Sequence, residues 1–259
     1  MNCLPDFLII GAARSGSSSL HGYLTVHKDL EGPKHTSSLR SKELHFFDHC
    51  YVAGIDWYTQ QFTDPHEEGK LYFESTPSYL NEPQVPKRVK YWMPDAKFIV
   101  LLRDPVARAW SHYYFYWMHI YGTKLELICK ALKKIKYHTK DYQLVPFVPK
   151  SYYYNIQSGM YIKQLKRWFS YFKPEQFMII QSEDFFANPQ AAVDGVTKFL
   201  GVCDMAMSEY PIFDPLKNFA GAPYPKVPKD LEQKLTDFYR PYNEALYEFL
   251  GYKMRGWRE

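Results

Sequence analysis

Gly11 and Gly16 bracket the segment Gly11-Ala12-Ala13-Arg14-Ser15-Gly16-Ser17-Ser18, which follows the continuous apolar run Phe7-Leu8-Ile9-Ile10 and precedes Leu20 and Leu24 on one helical face. A glycine turn between a buried strand and a helix start offers unpaired backbone N–H groups at the positive end of a helix dipole, a cradle for an anion. The glycine spacing equals that of a Walker A loop, but Ser17 stands where its lysine belongs, so a nucleotide triphosphatase or P-loop kinase is disfavoured. The segment instead carries one cation inside the turn, Arg14, and hydroxyls at Ser15, Ser17, Ser18 and Ser19. That set suits a phosphate bearing a departing group at one end, with no need for a metal clamp. The plainer reading is an ordinary tight turn with a solvated arginine.

Other groups invite weaker readings. His45, His49 and Cys50 could ligate a metal, since the two histidines are four residues apart, but no second ligand pair accompanies them and no metal is expected. Lys130, Lys133, Lys134 and Lys136 form a basic face that could meet an anionic acceptor or simply face water. The run Tyr113-Tyr114-Phe115-Tyr116-Trp117 has too many aromatics for one helical face, so part of it is free to line a cleft while the rest packs in a core.

Strand–helix alternation must position these groups. Lys97-Phe98-Ile99-Val100-Leu101-Leu102 reads as a second buried strand stopped by Arg103-Asp104-Pro105, where Asp can cap a helix over Val106 to Met118 with Pro at its first position. Phe177-Met178-Ile179-Ile180 reads as a third strand, followed by a helix from Ala191 to Leu200 closed by Gly201. Leu71-Tyr72-Phe73 is shorter strand material, Asp214 to Lys229 is a proline-rich loop, and a helix runs from Lys229 to Leu250 before Gly251. The pattern predicts an α/β fold, a central, mostly parallel sheet flanked by helices with a P-loop-like anion loop, in one domain over residues 1–259.

Composition agrees. Of 259 residues 46% are hydrophobic, which excludes disorder for most of the chain, and 32 Lys+Arg against 28 Asp+Glu leave a net charge of +4, too mild for nucleic acid as the main partner. Cys3, Cys50, Cys129 and Cys203 lie far apart with no C-x-x-C, as in a reducing compartment. The start of the chain has no basic region and only a four-residue apolar run, so neither a signal peptide nor a membrane span is expected. A cytoplasmic protein is the expectation, unless the chain is a trimmed lumenal domain.

The loop from Gly11 to Leu20 resembles the 5′-phosphosulfate loop of sulfotransferases, which use 3′-phosphoadenosine 5′-phosphosulfate (PAPS) as donor and release PAP. The Arg14 position is usually Lys in that family, with Arg-Ser-Gly-Ser familiar among carbohydrate members. Lys42-Glu43-Leu44-His45-Phe46-Phe47-Asp48, Gly54-Ile55-Asp56-Trp57-Tyr58 and Glu74-Ser75-Thr76-Pro77-Ser78-Tyr79 are similar, in order, to segments of heparan sulfate 3-O- and N-sulfotransferases. Arg103 to Ser111 is similar to the family's 3′-phosphate motif. The resemblance covers nearly the whole chain. It implies donor contacts from Ala13, Arg14, Ser15, Gly16, Ser17, Ser18 and Ser19, from Arg103 and Ser111 on the 3′-phosphate, and from Gly221 and Tyr224 in a C-terminal donor loop. It implies Glu43 as the base that deprotonates the acceptor, with His45 as second choice, and Arg14 as the group that stabilises charge on the leaving oxygen. The acceptor would be a small molecule or carbohydrate bearing a hydroxyl or amine.

Three departures stand out. Ser75 replaces a lysine usual in the 3-O-sulfotransferases, Ala220-Gly221-Ala222-Pro223-Tyr224 lacks both charges of the donor loop, and the lumenal enzymes' disulfide before that loop is missing. Together they point away from a Golgi glycosaminoglycan enzyme and towards a smaller acceptor, with Lys217 or Lys226 as substitute donor contacts.

Overall fold

The structure, a computed structural model, describes residues 4–34, 42–62, 67–115, 150–204 and 225–259. Among these residues five strands form one sheet: β1 (Phe7–Gly11), β2 (Leu30–Glu31), β3 (Leu71–Ser75), β4 (Lys97–Leu102) and β5 (Phe177–Gln181). Their order is β2-β3-β1-β4-β5 and every pair is parallel. Every residue of β1 is buried, as a strand covered on both faces requires, and this is why its sequence is apolar without alternation.

The packing falls into two compact units, Met1–Leu102 with Leu165–Ala222, and Arg103–Gln164 with Pro223–Glu259. In the first, successive side chains of β4 face opposite ways. Ile99 and Leu101 join Phe7, Ile9 and Phe73 beneath Leu20 and Leu24 of α1 (Ser17–Thr25) and Val193, Val196 and Leu200 of α8 (Pro189–Leu200). On the other face Phe98 packs against Trp168 and Phe172, ring centroids 5.0 and 4.6 Å away. The α/β layout expected from the sequence is therefore observed.

The second unit holds α4 (Pro105–Tyr113), α5 (Lys150–Gln157) and α9 (Lys229–Leu250), whose Val106, Trp110, Ile156, Leu231, Leu235 and Tyr239 share one core. Asp104 caps α4 by accepting from Ala107 N at 2.8 Å, with Pro105 at the first position. The same carboxylate accepts from Arg258 N (2.9 Å) and pairs with Arg258 Nη1 (3.1 Å), tying the C-terminal segment down. α8 and α9 end as expected, at Gly201 (φ 83°) and Gly251 (φ 79°). The helix expected over Val106 to Met118 is observed as Pro105–Tyr113; residues 116–118 lie outside the described residues. Elements with no sequence-level expectation are the two-residue β2, the five-residue α2 (Ile55–Thr59), α3 (Val85–Trp92), α5, α6 (Tyr161–Phe169) and α7 (Ser182–Ala187).

Candidate active site

β1 lies between β3 and β4, so the chain leaves it towards one half of the sheet while β4 and β5 form the other half. In open α/β sheets the crevice beyond the carboxyl end of such a strand is where ligands bind. The loop Ala12 to Gly16 occupies that place. Ala12 N donates to Leu101 O (2.8 Å), Ser15 N to Ala12 O (3.2 Å), and Ser182 Oγ to Ser15 O (2.7 Å), which pins the turn to the sheet and to α7. Gly16 is the N-cap of α1 with φ 98°, where a Cβ would meet Phe186 Cε1 at 2.8 Å. The cap brings no side chain and the first turn no carboxylate, so the leading N–H groups of α1, from Ser17, Ser18 and Ser19, keep their affinity for an external anion. Ser15 Oγ is buried and has no hydrogen-bond partner among the described residues. Arg14 adopts φ 71°, a left-handed conformation that L residues rarely take.

Among the described residues only one other non-glycine has positive φ: His45, at 53°. Strained backbone of this kind collects where a side chain must be aimed. His45 Nδ1 lies 2.9 Å from Asp48 Oδ2, and His45 Nε2 lies 3.3 Å from Glu43 Oε2. Lys42 Nζ binds the other oxygen of Glu43. Lys42 is 3% exposed and Glu43 33%, so the carboxylate reaches solvent on a buried cation. Ser78 Oγ donates to Asp48 Oδ2 (2.6 Å), and His45 N donates to Thr76 Oγ1 (3.3 Å), whose hydroxyl donates to the buried Glu74.

Charge follows from these contacts. The Asp48 and then the Glu43 hydrogen bonds push His45 up to about 10 against burial, so it is an imidazolium at neutral pH. Burial would raise Glu43, but the hydrogen bond from His45 and the Lys42 charge outweigh it and hold the carboxyl below its ordinary range. Burial pushes Glu74 up to about 7 despite donors from Thr76, Tyr58 and Tyr79. His21, in α1, is driven by burial down to about 3, with Lys42 lowering it further and Glu43 opposing. His21 thus places the helix that opens at the anion loop within electrostatic reach of the Lys42–Glu43 pair.

Of the residues singled out in the sequence, Ala13 to Ser19 share one loop and helix start, and Glu43 and His45 touch each other. Arg103 directly follows β4 and its carbonyl accepts from Tyr161 OH (2.9 Å), while Ser111 is buried in α4, about 9 Å along the axis from Pro105. Gly221, Tyr224 and Lys217 lie outside the described residues, as do Cys3, Cys129 and the basic run Lys130 to Lys136. Asp48, Glu74 and Ser78 carry no role in the motif reading of the sequence, whereas Lys42 is there as a partner of Glu43, the pairing observed here. The three-residue spacing of His45 and Asp48 was a usable signal. His21 carried none, since it reads as part of a helix face. His45, Asp48 and His49 offer ligand atoms within 4.8 Å of one another, but both His45 nitrogens already face carboxylates.

A parallel sheet with a glycine-bounded turn at its switch point, and a solvent-reaching carboxylate held by two cations, fit a group-transfer enzyme acting on an anionic donor. The sulfotransferase-domain family model matches residues 4–242, and the chain belongs to this family. It is a sulfotransferase, of a family whose standard donor is PAPS. It is similar to human heparan sulfate glucosamine 3-O-sulfotransferase 6, at 27% identity over 98% of this chain and 73% of that protein. It is also similar to the Xenopus laevis bifunctional heparan sulfate N-deacetylase/N-sulfotransferase 1, at 30% identity over 96% of this chain and 30% of that protein. The crystal structure of a sulfotransferase from Alicyclobacillus acidocaldarius superposes with a TM-score of 0.73 at 27% identity, covering 99% of each chain. The kinase reading finds no support among these. No helix of the described residues is long and apolar enough to cross a membrane.

Proposed function

We propose that the chain transfers the sulfuryl group of PAPS to a hydroxyl or amine of a carbohydrate, with Glu43 as the base. The observation that carries this reading is the Glu43 carboxylate, exposed at one edge and gripped by Lys42 and His45. The acceptor oxygen forms a bond to sulfur, the bond from sulfur to the bridging oxygen breaks with its electron pair going to the 5′-phosphate of PAP, and the acceptor proton goes to Glu43. A weakly basic carboxylate suffices, because the acceptor oxygen becomes strongly acidic as its bond to sulfur forms. His45, already protonated, has no lone pair to offer and instead orients Glu43. Arg14, with Ser15 and the N–H groups from Gly16 to Ser19, takes the 5′-phosphate and the charge that grows on the leaving oxygen. Arg103 and Ser111 are assigned to the 3′-phosphate, and Gly221 and Tyr224 remain assigned to the donor on the resemblance alone.

A carbohydrate acceptor is favoured by the relatives, whose names specify heparan sulfate. Free thiols at Cys50 and Cys203 favour a reducing compartment, here the cytoplasm. The test is Glu43→Gln, assayed with sulfur-labelled PAPS against a panel of carbohydrate acceptors that runs from small sugars to desulfated heparan chains. Turnover should fall by roughly two to four orders of magnitude while PAP affinity stays within twofold. Retained turnover would remove Glu43 from the base role.

A further inference from the structure

Arg88, in α3, is joined to the catalytic segment by contacts that the reaction itself does not use. Its Nη1 donates to Phe47 O at 2.6 Å and to Asp48 O at 3.2 Å, and its Nη2 donates to Gln84 Oε1 at 2.7 Å. Its guanidinium lies 4.4 Å from the ring centre of Tyr51, whose hydroxyl accepts from Trp92 Nε1 at 3.0 Å. These contacts fall on a single turn of backbone: His49 N and Cys50 N both donate to His45 O, at 3.0 and 2.8 Å. His45 opens that turn in a left-handed conformation and Asp48 stands three residues on. The backbone donors that follow go to the carbonyls of His45, Cys50 and Tyr51, and Arg88 supplies donors to those of Phe47 and Asp48.

We propose that Arg88 is a positioning residue of the sulfuryl transfer, clamping the turn 45–50 so that Asp48 meets His45 and His45 meets Glu43. The inference rests on Glu43 and His45 acting as described above. A planar fork spreads its donors over two successive carbonyls and Gln84 while laying its flat face on Tyr51; a lysine ammonium offers its donors from one point and has no flat face to lay on the ring. The groups facing His45 are Glu43, Asp48 and the stacked His49 (ring centres 4.9 Å apart) from its own segment and Ser78 from the turn after β3. Glu82 lies within electrostatic reach of Asp48, His49 and Arg88. Relaxing the turn loosens the two carboxylate contacts that keep His45 protonated, so its titration should move down towards an ordinary histidine.

The experiment follows the His45 ring by NMR in the full chain carrying Arg88→Met, which keeps the stem and removes the donors, and in Arg88→Lys. It pairs this with kcat and KM for sulfur-labelled PAPS. The His45 midpoint should fall by a pH unit or more in Arg88→Met and by less in Arg88→Lys. The kcat should drop about tenfold to a hundredfold with KM for PAPS and PAP affinity within twofold. An unmoved midpoint in Arg88→Met overturns the proposal, as does a loss spread equally over kcat and PAP affinity. If Arg88→Met does not fold, Arg88→Lys decides, and wild-type titration there counts against the clamp. Glu43→Gln separates the two readings: full turnover in that variant defeats the base assignment, whereas its loss beside an unmoved His45 in Arg88→Met defeats only the clamp.

Discussion

His21 is a histidine kept neutral inside the protein, its ring tilted against that of Phe73 at 5.1 Å and near Lys42 and Glu43, with Nδ1 unpaired among the described residues. Its folded midpoint of about 3 lies below the ordinary 6.5. Between those values the unfolded chain binds more protons, so His21 makes stability rise as pH rises from 3 to 6.5. His21→Leu should flatten the dependence of urea midpoints on pH across that window while leaving the neutral side little changed. A slope equal to that of the wild type would mean that His21 is protonated in the folded state. His45 acts in the opposite sense. Its folded midpoint is raised to about 10, so the stability it contributes is complete below 6.5 and is lost as pH climbs through 10.

At the scale of elements, the turn from Ala12 to Gly16 is proposed to hold the donor phosphate through its backbone. Gly16→Ala puts a Cβ at φ 98° and against Phe186, so helix and turn must part or Phe186 must move. An L residue in the left-handed region costs about 1–2 kcal/mol. Thermal unfolding should therefore come earlier, and PAP affinity measured by calorimetry should fall with it; unchanged PAP affinity would place the phosphate away from this helix start. The strand–loop–helix unit was legible because three local signals coincide there: a continuous apolar run, glycines at the bends, and apolar residues at helical spacing. Helices closed by Gly201 and Gly251 were legible for the same reason. β2 and α2 were not, because two and five residues are too few for a period to show, and they exist through pairing with β3 and packing of Tyr58. In the site, Glu43 and His45 could be read from motif resemblance. Their charge states could not, since these depend on Lys42 being buried and on Ser78 and Thr76 arriving from another strand's end.

For the molecule as a whole, a ligand that binds only the native chain raises its stability by about 2.7 kcal/mol at a hundredfold excess over its Kd. PAP should therefore raise Tm clearly, and ATP with magnesium much less, because ATP lacks the 3′-phosphate assigned to Arg103 and Ser111. Equal shifts from the two nucleotides would reject that assignment.

Among the described residues the sheet has no hairpin: Phe7 meets Phe73, and Phe98 meets Phe177, each across a long stretch of chain. Such pairings close slowly, because large loops must be ordered before any contact rewards them. During synthesis β1, β3 and β4 are complete well before β5 leaves the ribosome, so the edge of β4 that pairs with β5 emerges ahead of its partner. An open apolar strand edge is a template for another chain. That edge of β4 stays unpaired until residues 177–181 emerge, so pairing with another chain is expected to be suppressed only once β5 is made.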